Sequence, residues 1–230
     1  MKNKNWKKYI FEFVSIFIAV VSAFALNNWN ENRRDNTAKQ KILEELNNGL
    51  KNDIEDLNIN LNGHKRGIKA CEFWRNVIQN KEMTLDSLQF RFIELTRDYT
   101  SLQNSSAYET LKSRGLELIE NDSLRSELIS LYEYDYYTLK ILEEEYEEMQ
   151  YQKNYFKEIN EFLAPSFVFD ENGVLISLET PINLSKKQKN ILMSYLIKIE
   201  LNRKGVLRFY QKTKKKVKSL EEKITKELDR

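Results

Sequence analysis

Hydrophobic positions divide the chain into one continuous apolar run and three long stretches in which apolar residues recur every three or four positions. The run covers residues 10–26 and includes a single ionisable residue, Glu12. A helix of this length spans about 26 Å, close to the ~30 Å hydrocarbon thickness of a bilayer. Because residues 13–26 have no polar face, the run predicts a transmembrane helix and not the buried helix of a soluble core.

The flanks of the apolar run predict its orientation. Residues 1–9 carry four lysines and no acid, and two of the lysines directly precede the run, whereas the first basic residue after it is Arg33. The positive-inside rule then predicts a cytoplasmic tail at 1–9 and a large domain on the other side of the membrane. The alternative is a secretory signal peptide removed after Ala25, because Ala23-Phe24-Ala25 has the small-x-small form of a cleavage site.

The first long helix is predicted to run out of the membrane, with an apolar stripe from Leu43 to Ile78 after a polar stalk at 27–40 that lacks the stripe. Its stripe has the heptad-like spacing of a helix that packs against other helices. The stripe consists of Leu43, Leu46, Leu50, Ile54, Leu57, Leu61, His64, Ile68, Cys71, Trp74 and Ile78.

Two further long helices are predicted over residues 123–163 and 185–228, and Pro165 ends the first of them. Two charged residues, Asp135 and Lys153, interrupt the earlier stripe at positions where an apolar residue is expected. The earlier stripe is Leu124, Leu128, Leu131, Asp135, Leu139, Leu142, Tyr146, Met149, Lys153, Phe156 and Leu163. The later stripe is Leu192, Tyr195, Ile199, Val206, Phe209, Val217, Leu220 and Ile224.

Shorter elements connect these helices. We predict helices at 85–97, with Thr84 as a cap, and at 105–113, with Gly115 as a left-handed stop. Asn121 or Asp122 caps the next long helix. Strands at 167–171 and 174–177 around Asn172-Gly173 predict a small β-hairpin, with an ordered loop as the alternative.

Together the elements predict an all-α domain over residues 41–230, an elongated antiparallel bundle of three long helices. The first helix leaves the membrane, the second returns and the third leaves again. The hairpin is then expected at the membrane-near end and the 85–120 segment at the far end. A self-associating coiled coil of extended helices is the alternative.

The composition supports long helices and restricts the partners. The chain contains 6 Gly and 2 Pro in 230 residues, and 31% of its residues are charged. Few helix breakers and many solvated charges favour uninterrupted helices. The net charge of +2 argues against a nucleic-acid partner and leaves a protein partner as the expectation.

Two blocks of sequence resemble a known family. Residues 23–57 contain ALNNWNENRR followed by QKILEELNNGLKNDIEDL, and residues 105–132 read SSAYETLKSRGLELIENDSLRSELISLY. Both blocks resemble an uncharacterised family of bacterial membrane proteins with one N-terminal transmembrane helix and a helical domain outside the cytoplasm. The resemblance implies location in the inner membrane of a bacterium. It implies no reaction, because no activity or catalytic residue is assigned to that family.

No motif that carries chemistry is present in the sequence. One His and one Cys, His64 and Cys71, cannot form the usual zinc sets, and no P-loop, Rossmann or nucleophile-elbow pattern occurs. We therefore expect no catalytic, cofactor-binding or metal-binding residues. His64 is expected to be a hydrogen-bonded core or edge residue, with a pH-sensing or catalytic role as the alternative, and Cys71 a buried, inert thiol.

Charged and aromatic clusters suggest further interpretations. Asp135 and Lys153 either reach solvent, or form buried pairs that set the helix register, or bind a ligand. A tyrosine cluster is expected to pack between helices, and its alternative role is to line a groove: Tyr132, Tyr134, Tyr136, Tyr137, Tyr146, Tyr151 and Tyr155. An acidic run at 143–148 and a basic run at 212–218 either meet across two antiparallel helices or are solvated separately.

These expectations favour a membrane-tethered helical interaction or scaffold module without enzymatic activity. The alternative is an envelope sensor or ligand-binding module that uses a pocket among the tyrosines and works with a membrane partner.

Overall fold

Helix α1 (Lys4–Ile78) is 75 residues long in the computed structural model, which describes residues 4–81 and 84–229. At 1.5 Å per residue it is about 110 Å long. The predicted transmembrane run, polar stalk and first bundle helix therefore form one unbroken helix. Of the predicted tail at 1–9, residues 1–3 lie outside the described part.

The N-terminal part of α1 stands apart from the rest of the molecule. Residues 6–37 are exposed, and the helix is long and apolar enough in this part to cross a membrane. Glu12, the ionisable residue of the apolar run, lies one turn from Lys8 with Nζ and Oε1 3.9 Å apart. From Ile42 onward the predicted stripe is buried, except that Ile54 and Ile68 are half-buried.

Helix α7 (Lys186–Leu228) packs antiparallel against the C-terminal half of α1. Ser185 caps it in a capping box with Gln188, so the predicted start is confirmed. Lys39 pairs with Glu227 at 3.6 Å, so the C-terminal end of α7 lies beside the start of the buried part of α1. At the other end of the pair, Arg75 bonds to Glu200.

The predicted second long helix is wrong as one element, because its helical path is continuous from Asp122 to Glu145 and is then interrupted at Tyr146. Its α-helical parts are three. These are α4 (Asp122–Ser130), α5 (Tyr136–Lys140) and α6 (Tyr151–Leu163). π-helical turns at Leu131–Asp135 and Ile141–Glu145 follow α4 and α5, and a 3-10 turn at Glu147–Met149 precedes α6. The backbone at Tyr146 is extended (ψ 106°), so the helical path stops there.

Between α1 and α4 the chain returns along α1. Helix α2 (Leu88–Thr96) follows Ser87, whose side chain makes no capping bond, so the predicted cap at Thr84 is wrong. An extended segment then leads to α3 (Ser106–Arg114), which ends at Gly115 with φ 110°. Asn121 caps α4 by accepting from the Leu124 N–H, as predicted.

The β-hairpin is confirmed, with β1 (Phe167–Phe169) antiparallel to β2 (Leu175–Leu178). The Asp170 carboxylate closes the turn by accepting from the N–H groups of Asn172 and Val174. Phe167 packs against Trp74 near the C-terminal end of α1, with ring centroids 6.3 Å apart.

The predicted placement of the connections is therefore wrong. The hairpin lies at the end far from the apolar run, whereas Arg114 and Gly115 lie beside Asp35, near that run. The chain passes along the domain four times instead of three, because α2, the extended segment and α3 form the return path. The α4–α6 stretch consequently runs parallel to α1, and α7 returns.

Candidate functional site

Polar side chains are buried at the middle of the domain, where α1, the 94–104 segment, the α5–α6 region and α7 meet. We call this group the polar centre: His64, Glu143, Arg203 and Tyr210. Arg203 is 0% exposed and His64 is 1% exposed, so neither side chain is reachable from solvent.

Arg203 ties α7 to the chain that follows α2. Its Nη2 donates to the carbonyl oxygens of Leu95 at 3.2 Å and Arg97 at 2.8 Å, and to that of Glu94 at 3.4 Å. These carbonyls belong to the last turn of α2, where carbonyl groups lose their helical partners. The guanidinium therefore acts as a side-chain cap for the C-terminus of α2.

No carboxylate in the described part of the chain forms a direct ion pair with Arg203, although the Asp98 carboxylate is close enough to attract its charge. Its Cζ lies 4.3 Å from the centroid of the Tyr151 ring and 5.8 Å from that of Tyr99, distances at which aromatic faces attract cations. Burial lowers the pKa of Arg203. Even so, guanidinium groups remain charged in proteins, so the fold holds a positive charge in its interior.

Gly67 makes this arrangement possible. A Cβ atom on Gly67 would lie 2.5 Å from Cζ and Nε of Arg203, closer than non-bonded atoms approach. The guanidinium therefore occupies the space that a side chain on this face of α1 would fill.

His64 accepts rather than donates in this environment. Its Nδ1 lies 3.3 Å from Nη1 of Arg203, which has only donors, so the proton of the neutral ring is on Nε2. Burial, and then the charge of Arg203, lower the pKa of His64 to about 3. The predicted core histidine is confirmed. A pH-sensing role near neutrality is disfavoured, because the ring stays neutral there.

Glu143 holds the extended segment from the other side. Its carboxylate accepts from the N–H and Oγ of Ser101 at 3.0 Å and from the hydroxyl of Tyr210. It is 7% exposed, and burial raises its pKa to about 7 despite these bonds. Glu143 is thus a buried carboxyl group that gains a proton near neutral pH.

Two carboxylates of α1 hold the same segment further along. Asp53 accepts from the backbone and side-chain N–H groups of Asn104 at 2.8 and 2.7 Å and from the hydroxyl of Tyr136 at 2.6 Å. Asp56 accepts from the N–H of Leu102 at 3.0 Å. Side chains thus satisfy the N–H groups of a segment that has no strand partner.

Asp98 has a similar function at the start of α6. Its carboxylate accepts from the backbone N–H of Tyr151 at 2.7 Å and from that of Gln152 at 3.4 Å. A carboxylate at a helix N-terminus satisfies free N–H groups and interacts favourably with the helix dipole. The long-range cap from Asp98 therefore lets the chain start a new helix after the break at Tyr146.

The two charges that interrupt the predicted stripe behave differently. Asp135 is 5% exposed and contacts Lys216 and Lys212 of α7, the latter at 3.6 Å between Oδ1 and Nζ. Lys153 is exposed and pairs with Glu147 at 3.7 Å. Asp135 therefore forms buried ion pairs between helices, as in the interpretation that such pairs set the helix register, whereas Lys153 reaches solvent.

The acidic and basic runs do not meet as blocks. Part of the basic run lies beside Asp135, while Glu148 of the acidic run pairs with Lys198 at 3.5 Å. Glu127 pairs with Lys223 and Glu148 with Lys198, so the antiparallel register places the acidic run opposite a part of α7 that precedes the basic run.

The tyrosines pack mainly between elements, as expected. Tyr132, Tyr136, Tyr151 and Tyr155 are buried. The others, Tyr134, Tyr137 and Tyr146, are exposed. A groove between Tyr108, Tyr132, Tyr136 and Tyr137 has a volume of about 190 Å³, below the roughly 300 Å³ at which small-molecule sites begin.

Reactive groups are shielded. Cys71 is 0% exposed, and burial raises the pKa of its thiol to about 12, so the predicted inert thiol is confirmed. Among the described residues, no group of three or more His, Cys, Asp or Glu side chains could hold a metal ion. The polar centre therefore holds segments of the chain together through buried hydrogen bonds.

Sequence reasoning missed three members of the polar centre. Arg203 lies in the stripe of α7 between Ile199 and Val206. The seven-residue gap between these two apolar positions indicated that a residue between them faces the core. Tyr210 is the buried neighbour of the predicted Phe209, which is 44% exposed. Glu143 carries no such signal, because it stands within an acidic run.

Comparison with known proteins gives a family and no activity. No curated protein and no solved structure matches the chain. A family model matches residues 12–163, about two thirds of the chain, from the apolar run to the end of α6. Both sequence blocks that carry the resemblance fall inside this range, whereas Arg203 and Tyr210 lie beyond it. The chain belongs to the family of unknown function DUF6090.

Proposed function

We propose that this chain is a membrane-tethered helical interaction module of the bacterial envelope, with a cytoplasmic N-terminus and its domain outside the inner membrane. The observation that supports it most is the continuity of α1 from the apolar run into the core. A helix without a break transmits position and orientation, whereas a flexible linker would not. The 52 residues between Leu26 and Ile78 correspond to about 78 Å, which sets the reach of the module.

The far end of the domain is the proposed contact surface for a protein partner. It carries apolar side chains that face solvent, with Phe90 68% exposed on α2 and Ile176 55% exposed on β2. The two elements adjoin, because Nε2 of Gln89 donates to the carbonyl of Leu175 at 3.0 Å. Exposed aromatic side chains of this kind are enriched in protein interfaces. A sensor function has less support, because the tyrosine groove is small.

Site-specific photocrosslinking in intact cells tests the module. A crosslinking residue in place of Phe90 is expected to give a discrete protein adduct, which should disappear when residues 10–26 are deleted. The matched control carries the crosslinker at Glu55, an exposed position of α1 that lies more than 20 residues before its C-terminal end. An identical adduct from the chain without residues 10–26 would contradict the tethered function.

Intact mass measurement of the membrane-bound chain tests the anchor separately. We expect residues 1–25 to be present and the protein to resist carbonate extraction. A mature N-terminus at Leu26, together with a soluble protein, would establish the signal-peptide alternative instead.

A further inference from the structure

A crevice rich in arginine lies between α1 and the C-terminal end of α3. We call it the arginine crevice; its basic lining is Arg33, Arg34, Lys41 and Arg114. Arg114 of α3 lines the crevice because α3 runs back along α1 and ends at Gly115. The crevice therefore exists only in the folded domain, since Arg114 is 80 residues from Arg34 in sequence.

The guanidinium groups of the crevice are available to bind an anion. All three arginines are exposed, and none forms an ion pair within the described part of the chain. The four basic side chains outnumber the two acidic ones in the lining, Glu31 and Asp35. Planar guanidinium groups bind phosphate oxygens in a bidentate manner, which makes phosphate a better match than a monovalent halide.

The position of the crevice along α1 specifies where that phosphate would come from. Arg33 is seven residues beyond Leu26, which corresponds to about 10 Å along the helix, whereas the headgroup layer is roughly 5–8 Å thick. Side chains on a helix lean toward its N-terminus, so Arg33 and Arg34 extend back toward the apolar run. Their guanidinium groups consequently reach the level of the lipid phosphates.

We propose that the arginine crevice binds the phosphate of an anionic phospholipid headgroup in the bilayer that holds the chain. The proposal rests on the membrane anchoring proposed above. Lipid binding at this point would join α1 and α3 at the membrane surface and so fix the tilt of the domain.

Lipid retention by the full-length protein tests the proposal. The detergent-solubilised chain is mixed with vesicles of equal parts phosphatidylglycerol and phosphatidylcholine, repurified, and its bound lipids are quantified by mass spectrometry. The variant carries Arg33→Gln, Arg34→Gln and Arg114→Gln. The control, with the same loss of charge at the far end, carries Lys157→Gln, Lys186→Gln and Lys187→Gln, all at exposed positions.

We expect the wild-type chain and the control to retain phosphatidylglycerol in preference to phosphatidylcholine, and the arginine variant to retain at least tenfold less phosphatidylglycerol. Each basic residue at an anionic surface strengthens association about fivefold, so three losses exceed that threshold. A second variant with the three arginines changed to lysine should be intermediate, because charge is kept and bidentate geometry is lost. Equal retention by the arginine variant and the wild type would overturn the proposal.

Two further arms separate the alternatives. If 10 mM inorganic phosphate displaces the lipid completely, the crevice is a site for free phosphate and the lipid assignment is wrong. Flotation with vesicles of phosphatidylcholine alone measures membrane insertion by residues 10–26 independently of anion binding in the crevice. We expect all variants to float. Failure of every variant to float would refute the anchoring, whereas flotation with unselective lipid retention would refute only the crevice.

Discussion

Substitution of Gly67 by alanine should have opposite effects depending on residue 203. In the wild-type chain the new Cβ would lie 2.5 Å from the Arg203 guanidinium, so the guanidinium must move by about 1 Å. That movement weakens its bonds to the carbonyls of Leu95 and Arg97, at 3.2 and 2.8 Å. Overpacking and lost charge-assisted bonds together cost about 2–4 kcal/mol, which outweighs the ~1 kcal/mol that alanine gains over glycine in a helix.

The same substitution should stabilise a chain that already carries Arg203→Ala. The guanidinium is then absent, the methyl group has space, and only the helix preference of about 1 kcal/mol remains. For a chain of this size, 1 kcal/mol corresponds to roughly 2–4 °C in Tm. The net cost of about 1–3 kcal/mol in the wild-type background corresponds to a Tm lowered by about 2–12 °C, whereas Tm should rise by about 2–4 °C in the Arg203→Ala background.

Thermal unfolding of the full-length chain in detergent, followed by circular dichroism at 222 nm, measures both shifts. Gly205→Ala is the matched control, because it replaces a glycine within helix α7 and its Cβ would meet nothing within 4 Å. It should stabilise both backgrounds by the same small amount. Equal shifts for Gly67→Ala in the two backgrounds would refute the packing of Arg203 against α1.

Three further predictions concern single side chains. Between pH 4.5, the ordinary pKa of Glu143, and about pH 7, its pKa in the folded chain, only the folded chain keeps the Glu143 proton, so the contribution of Glu143 to stability falls as pH rises. The pKa of His64 is lowered from 6.5 to about 3, so between pH 3 and 6.5 the contribution of His64 to stability rises with pH. Glu143→Gln should therefore make the slope of Tm against pH between 4.5 and 6.5 more positive than in the wild-type chain, and an unchanged profile would contradict the buried carboxylate. Asp135→Leu should cost about 1–3 kcal/mol in the free energy of unfolding, whereas Lys153→Leu should change it by less than about 0.5 kcal/mol, both measured by urea denaturation. Cys71 should react with maleimide only after denaturation, and rapid labelling of the native chain would disprove its burial.

The sequence was most informative where burial follows a regular spacing. In α1 and α7 the apolar stripes recur over many turns, so most of their buried positions and the start of α7 at Ser185 could be predicted. The hairpin could be predicted for a related reason, since the Asn-Gly turn is specified by neighbouring residues. These signals are local, and each is repeated or chemically distinctive.

The α4–α6 stretch shows why periodicity alone was insufficient. Its apolar spacing suits a continuous helix, yet the chain breaks at Tyr146 and restarts where Asp98 caps the N-terminus of α6. The capping residue is more than 50 positions away, so nothing in the local pattern reports it. The antiparallel register of α7 places Asp135, and not the acidic run, beside Lys212 and Lys216 of the basic run.

The direction of the chain after α1 also depended on distant partners. Asp53, Asp56 and Glu143 bind the N–H groups of the 101–104 segment, and these bonds hold the chain along α1 on its return. From sequence, the connection between the long helices looked like a cluster at one end of the bundle. The return path exchanges the two ends and places Arg114 beside Arg34.

The sequence by itself determined the apolar run, the long helices α1 and α7, and the faces on which they bury apolar residues, because hydrophobic burial follows from the spacing of residues along one element. Tertiary structure alone decided the partners of the buried charges. A buried guanidinium or carboxylate requires specific donors, acceptors or aromatic faces, and for Arg203 and Glu143 these come from residues about 40 to 140 positions away. Only the folded arrangement brings those groups within hydrogen-bonding distance.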